Sequence, residues 1–175
     1  MAAAHTLPFN EPYISPQEYL RTSYRPDRDY VNGRVEDRNV GEWEHATVQK
    51  MLMRIFLTNE EAWGVNAIQE CRLQIAEDRF RVPDTMVLRA GLEIERIVYD
   101  VPLICIEVIS REDTWKRLQE VLGDYLAFGV PHIWAFDPET RKAYRYDERG
   151  LTVVNGALSV PGTSLVLHVD EVFPR

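Results

Sequence analysis

The chain has 175 residues, of which 45% are hydrophobic and 27% charged, with a formal net charge of −8. That length supports one domain with its own core and needs no staples. The acid excess argues against a general nucleic-acid binder, which carries a basic footprint, but not against an enzyme whose acids gather at a metal site. No apolar run approaches the ~18 residues of a membrane span, and Met1 to Asn10 lacks the charged and apolar regions of a signal peptide. Cys71 and Cys105 show no zinc spacing, which points to free thiols in a reducing cytoplasm. Lysine occurs only at positions 50, 116 and 142.

Residues 1–14, with Pro8 and Pro12, read as a loosely ordered arm, and residues 15–175 as a single domain. Ser15-Pro16-Gln17-Glu18 is a helix start: a serine cap, proline at the first helical position and a glutamate at the capping-box place. Tyr30-Val31 and Arg34-Val35 flank Asn32-Gly33, a type I′ hairpin signal. From Gly41 to about Trp63, Val48, Leu52, Ile55 and Phe56 recur with helical period. Val65 to Ile75 reads as a strand, Glu77-Asp78 as a turn, and Arg79 to Arg89 as a second strand. Pro83 interrupts that second run. Proline cannot donate to a ladder, so it marks an edge or a bulge beside Asp84.

Val101 to Ile109 is the most apolar segment and predicts a central strand covered on both faces. Ser110 or Asp113 caps the following helix, which carries Leu118, Leu122, Tyr125 and Leu126 on its buried stripe and ends at Gly129. His132 to Phe136 is another strand. The strand–helix–strand passage implies parallel neighbours. Residues 142–147 and 151–154 read as further strands, Asn155-Gly156 as a turn and Val169 to Phe173 as a short helix. The fold class is α/β, a mixed central β-sheet flanked by helices with added hairpins at both ends. Trp115, Trp134, Tyr125 and Phe128 have the spacing of core residues. The arginines at 21, 25, 28, 34 and 38 alternate with acids and read as a solvated face.

Asp84 and Glu107 are the informative acids, because each interrupts an apolar strand. A buried carboxylate needs a partner, a proton or a metal. Adjacent strands lie ~4.8 Å apart, so two carboxylates at matching heights suit one divalent ion. The competing reading pairs one of them with Arg72, Arg81 or Arg117. Glu70, on the strand before Asp84, is a further candidate ligand. Glu44 and His45, near the start of the long helix, are extra candidates. For them a favourable charge at a helix N-terminus and a hydrogen-bonded ring are the simpler explanations. No Gly-x-Ser-x-Gly elbow surrounds Ser110, and no Gly-rich phosphate loop occurs.

Val82-Pro83-Asp84, Cys105 to Ser110, and Asp124 to Trp134 followed by Asp137-Pro138 together resemble the Uma-two family of restriction endonucleases, within the PD-(D/E)xK nuclease superfamily. The resemblance runs from about Ser15 to Phe173. It implies a restriction-endonuclease-like fold with an αβββαβ core and cleavage of DNA phosphodiesters dependent on Mg²⁺ (or Mn²⁺). Asp84 and Glu107 match the two motif acids. The superfamily lysine would fall at Ile109, or in many relatives at Val121, and neither position is basic here. Arg117, Lys116 or Lys50 remain as replacement cations. The departure also leaves open a decayed nuclease fold that serves as a nucleic-acid-binding or protein-interaction module. RNA in place of DNA is not distinguished. A homodimer suits cutting of both strands, and no membrane association is expected.

Overall fold

The computed structural model describes residues 13–38 and 42–173. Most of the arm expected at 1–14 lies outside the described residues. Helix α1 (Pro16–Arg21) starts as read, with the Ser15 side chain accepting from the Glu18 N–H. Strands β1 (Asp29–Val31) and β2 (Arg34–Glu36) form the Asn32-Gly33 hairpin, with positive φ at both turn residues. A side chain at Gly33 would also collide with the Tyr13 ring. Helix α2 (Trp43–Trp63) ends on a left-handed Gly64.

The expected long strands at 65–75 and 79–89 are each divided in two. They become β3 (Val65–Ile68) and β4 (Leu73–Ala76), then β5 (Arg79–Arg81) and β6 (Thr85–Arg89). The register is common to both halves: Val65 faces Arg89 in the β3–β6 pair, and Leu73 faces Arg81 in the β4–β5 pair. One hairpin ladder therefore bends out of one sheet into another. The break falls where Pro83 has no N–H to give and where Glu70 takes a positive φ. Pro83 thus ends a strand rather than bulging one.

Next come β7 (Ile104–Val108), α3 (Trp115–Phe128), β8 (His132–Asp137), β9 (Lys142–Asp147), β10 (Gly150–Val154), β11 (Ala157–Ser159), β12 (Val166–His168) and α4 (Val169–Val172). The six-stranded sheet runs β10-β9-β8-β7-β6-β3, with β7 and β8 parallel across the α3 crossover. A four-stranded sheet runs β2-β1-β5-β4, and β11 pairs with β12. Within this frame α2-β3-β6-β7-α3-β8 is the expected αβββαβ core. The pair β11–β12 was not anticipated from sequence.

The central sheet has an apolar layer on each face. Val87, Ile104, Ile106 and Val108 pack with Val48, Leu52 and Phe56 of α2. Met86, Leu88 and Cys105 pack with Leu118, Leu122 and Tyr125 of α3. Both cysteines are free. The α3 cap is Thr114, whose hydroxyl accepts from the Arg117 N–H at 3.2 Å. Asp113 instead accepts from the Ser110 N–H, closing the turn that precedes the helix. Trp134 and Tyr125 are core residues as expected, but Trp115 is 58% exposed because it opens the first helical turn, ahead of the buried stripe. Among the described residues no helix is long and apolar enough to cross a membrane.

Candidate nuclease site

Side chains alternate along a strand, so position decides which face a carboxylate takes. Glu107 shares parity with Cys105, and Asp84 with Met86 and Leu88, all on the α3 layer. The β6–β7 register pairs Thr85 with Ile106 and Met86 with Cys105. Continued by one residue, it sets Asp84 opposite Glu107. The strand-ending break at Pro83 therefore delivers an acid to the face, and the height, of the one acid in the central strand.

Both acids line a cavity of about 50 Å³ with Asp29, Arg38, His45, Arg117, Val121 and Tyr125 among its walls. Asp84 is buried and fully engaged. Its Oδ1 accepts from Arg38 Nη2 at 2.8 Å and from Gln49 Nε2 at 3.2 Å. Its Oδ2 accepts from the Val108 N–H at 2.7 Å and lies 3.3 Å from His45 Nε2. Glu107 accepts from the Tyr125 hydroxyl at 2.5 Å. Burial, and then the charge of Asp84, push the Glu107 carboxyl well above its usual range, against the pull of Arg38 and Tyr125. Burial alone would lower the His45 ring, but its hydrogen bond to Asp84 and that residue's charge raise it on balance. His45 Nδ1 is buried and has no hydrogen-bond partner among the described residues.

A second layer of ions supports the wall. Arg81 is buried and bonds Asp29 at 2.9 Å and Asp124 at 2.7 Å. Asp29 also accepts from the Val82 N–H, one residue before Pro83. Burial raises the Asp29 carboxyl, opposed by Arg81, Arg38 and Arg117. Arg117 bonds Asp29 at 3.2 Å and Glu36 at 3.1 Å. This network fixes the backbone that carries Asp84.

The structure thus brings together Asp84, Glu107, Arg117 and His45 from the residues expected by sequence. It leaves others outside. Glu70 is exposed in the bend between β3 and β4 rather than on a strand; its N–H donates to the Pro83 carbonyl, but the residue does not line the cavity. Lys116 points to solvent at 88% exposed, 3.9 Å from Glu120. Glu44 is exposed and lines a separate recess with Glu42 and Asp137. Lys50 lies on an open stretch of α2 beside Gln69. None of the arginines first considered as partners holds Asp84 or Glu107: Arg72 bonds Asp27, Arg81 bonds Asp29 and Asp124, and Arg117 bonds Asp29 and Glu36. The partner is Arg38, which sequence placed on a solvated face. Its acidic neighbours in sequence made it look surface-exposed, and only the β1–β2 hairpin's seat against β5 turns it inward. Tyr125 was visible only as a core residue; its hydroxyl next to a strand acid is a tertiary fact.

The donor set suits a hard divalent cation. Two carboxylates converge on one cavity, and their repulsion is the kind of strain a cation relieves; one or two carboxylates completed by water make an ordinary Mg²⁺ set. Among the described residues no third His, Cys, Asp or Glu joins them as a ligand cluster.

A family model described as "Putative restriction endonuclease", Uma2, matches residues 16–167. The chain belongs to the Uma2 family. A crystal structure titled as a putative nuclease belonging to DUF820, from Anabaena variabilis, is similar in fold, with a TM-score of 0.78 and 20% identity over 91% of this chain and 97% of that one. No curated protein is significantly similar. Against the superfamily pattern, this Uma2 member presents Val121 on the cavity wall and turns Ile109 into apolar packing. The basic residues lining its cavity are Arg38, His45 and Arg117, with no lysine among them.

Proposed function

We propose that this Uma2 protein hydrolyses DNA phosphodiester bonds with the help of Mg²⁺ or Mn²⁺ held between Asp84 and Glu107. One observation carries the reading: Glu107 on β7 and Asp84, the residue just before β6, wall one cavity of a nuclease-like fold, and the β6–β7 register continued by one residue sets them opposite each other. Like charges placed so are destabilising and need a reason.

A divalent cation there would lower the pKa of a bound water and offset charge developing on a phosphoryl oxygen. The chain's own residues do the rest. Tyr125 holds Glu107 in place by its hydroxyl. The Val108 N–H orients Asp84 from the neighbouring strand. Arg117, anchored by Asp29 and Glu36, presents a fixed positive charge at the wall and suits a phosphate oxygen. Leu118 and Val121 make part of the wall apolar, which strengthens these interactions by excluding water. A two-fold dimer would place two such sites on opposite strands.

The test is purified protein with plasmid DNA and Mg²⁺ or Mn²⁺, and an RNA oligonucleotide in parallel. Cleavage is expected to disappear in Asp84→Ala and in Glu107→Ala. Equal cleavage by these folded variants refutes the reading. A second reading, a nuclease fold kept as a binding module, is favoured by the apolar residues at positions 109 and 121. It predicts a folded protein that takes up no Mn²⁺ at millimolar concentration.

A further inference from the structure

An ionised carboxylate offers about four acceptor positions, and those of Asp84 are taken by Arg38, Gln49, the Val108 N–H and His45. A cation can reach this carboxylate only by displacing a donor. The four are not equally replaceable. The Val108 N–H is fixed by the β-ladder. Gln49 carries no charge for a cation to repel, and His45 makes the longest of the four contacts, at 3.3 Å. Arg38 carries such a charge, and among the described residues its guanidinium hydrogen-bonds Asp84 alone. Arg117, by contrast, is tied to Asp29 and Glu36 and does not touch Asp84.

Resting on the proposed nuclease reading, we infer that Arg38 is an exchangeable counter-ion: a divalent cation and the Arg38 guanidinium compete for Asp84, and the displaced guanidinium, still at the cavity wall, takes a phosphate oxygen of the nucleic acid. The side chain is suited to both duties. It is 13% exposed and faces Glu107 and Asp29 as well as Asp84, so its charge belongs to the cavity in either position. Guanidinium binds carboxylate and phosphate with the same fork of donors. The exchange gives the site a mobile cation where the superfamily lysine is replaced by Ile109 and Val121.

Two measurements test this. Calorimetric titration with Mn²⁺ compares the wild type with Arg38→Gln. Removing the competitor is expected to tighten Mn²⁺ binding about tenfold, and binding of a duplex oligonucleotide in Ca²⁺, read by anisotropy, is expected to weaken about tenfold. Unchanged or weaker Mn²⁺ binding by the folded variant overturns the exchange while leaving the metal reading intact. If neither protein takes up Mn²⁺, both fall. The wild type supplies a second readout that does not depend on the variant folding. Phenylglyoxal modification of Arg38, followed by mass spectrometry with Arg117 as internal reference, should speed up on adding Mg²⁺. A rate at Arg38 that stays constant or slows also overturns the exchange.

Discussion

Replacing Glu107 by glutamine isolates the electrostatic cost built into the site. Cross-strand neighbours have Cβ atoms ~4.5–5.5 Å apart. With ~5 Å between charges and an effective dielectric of ~20, the repulsion between ionised Asp84 and Glu107 is about 3 kcal/mol. Arg38, close to both, offsets part of it. The net gain from Glu107→Gln is therefore about 1–2 kcal/mol at neutral to alkaline pH, or roughly 2–8 °C in melting temperature for a chain of this size. Glutamine still accepts from the Tyr125 hydroxyl, so packing is preserved.

The pH dependence follows from the direction of the shift. The folded carboxyl of Glu107 is raised above its unfolded value of ~4.3. Its favourable contribution is complete below that value and is lost as pH rises through the folded pKa. The advantage of glutamine is thus near zero around pH 4 and grows as the pH is raised. The assay is thermal and urea unfolding in EDTA from pH 5 to 9. Adding Mg²⁺ at ~100 times its dissociation constant should stabilise the wild type by ~2.7 kcal/mol and the variant little, reversing their order. A Glu107→Gln protein that melts below the wild type throughout, with a gap that ignores pH, refutes the account of opposed acids.

Other expected outcomes follow from the same geometry. Tyr125→Phe removes the donor that positions Glu107 and should weaken Mn²⁺ binding about 10- to 100-fold, as loss of an outer-shell partner does; equal calorimetric affinity would show that the hydroxyl only fills space. Arg81→Met strands Asp29 and Asp124 without their shared cation and should cost about 3–5 kcal/mol in urea unfolding. A loss under 1 kcal/mol would mean that Arg117, which bonds Asp29, and Arg79, which bonds Asp124 at 2.5 Å, suffice. Thr114→Ala deletes the α3 cap and should cost about 1 kcal/mol, whereas Asp113→Ala should leave the helix start intact by hydrogen exchange.

Local chemistry was readable in the chain itself. The Asn32-Gly33 turn, the Ser15 cap, the Gly129 stop and the apolar run of β7 are set by φ preferences and side-chain period over a few residues. The same period singled out Asp84 and Glu107, since an acid in an apolar strand breaks the alternation wherever it sits. The ordered motifs around them carried the family. Three-dimensional packing decided the rest. Whether residues 65–89 made one long hairpin or two depended on which sheet each half joined, a choice made by contacts with β1 and β7 and not by local propensity. That choice put Glu70 in the bend and out of the site. Arg38 reads as a surface arginine because its sequence neighbours are acids. It becomes the partner of Asp84, 46 positions away, only when the hairpin docks. Sequence period reports on a residue's own element, whereas a counter-ion is chosen by proximity across elements, and no local pattern encodes that distance.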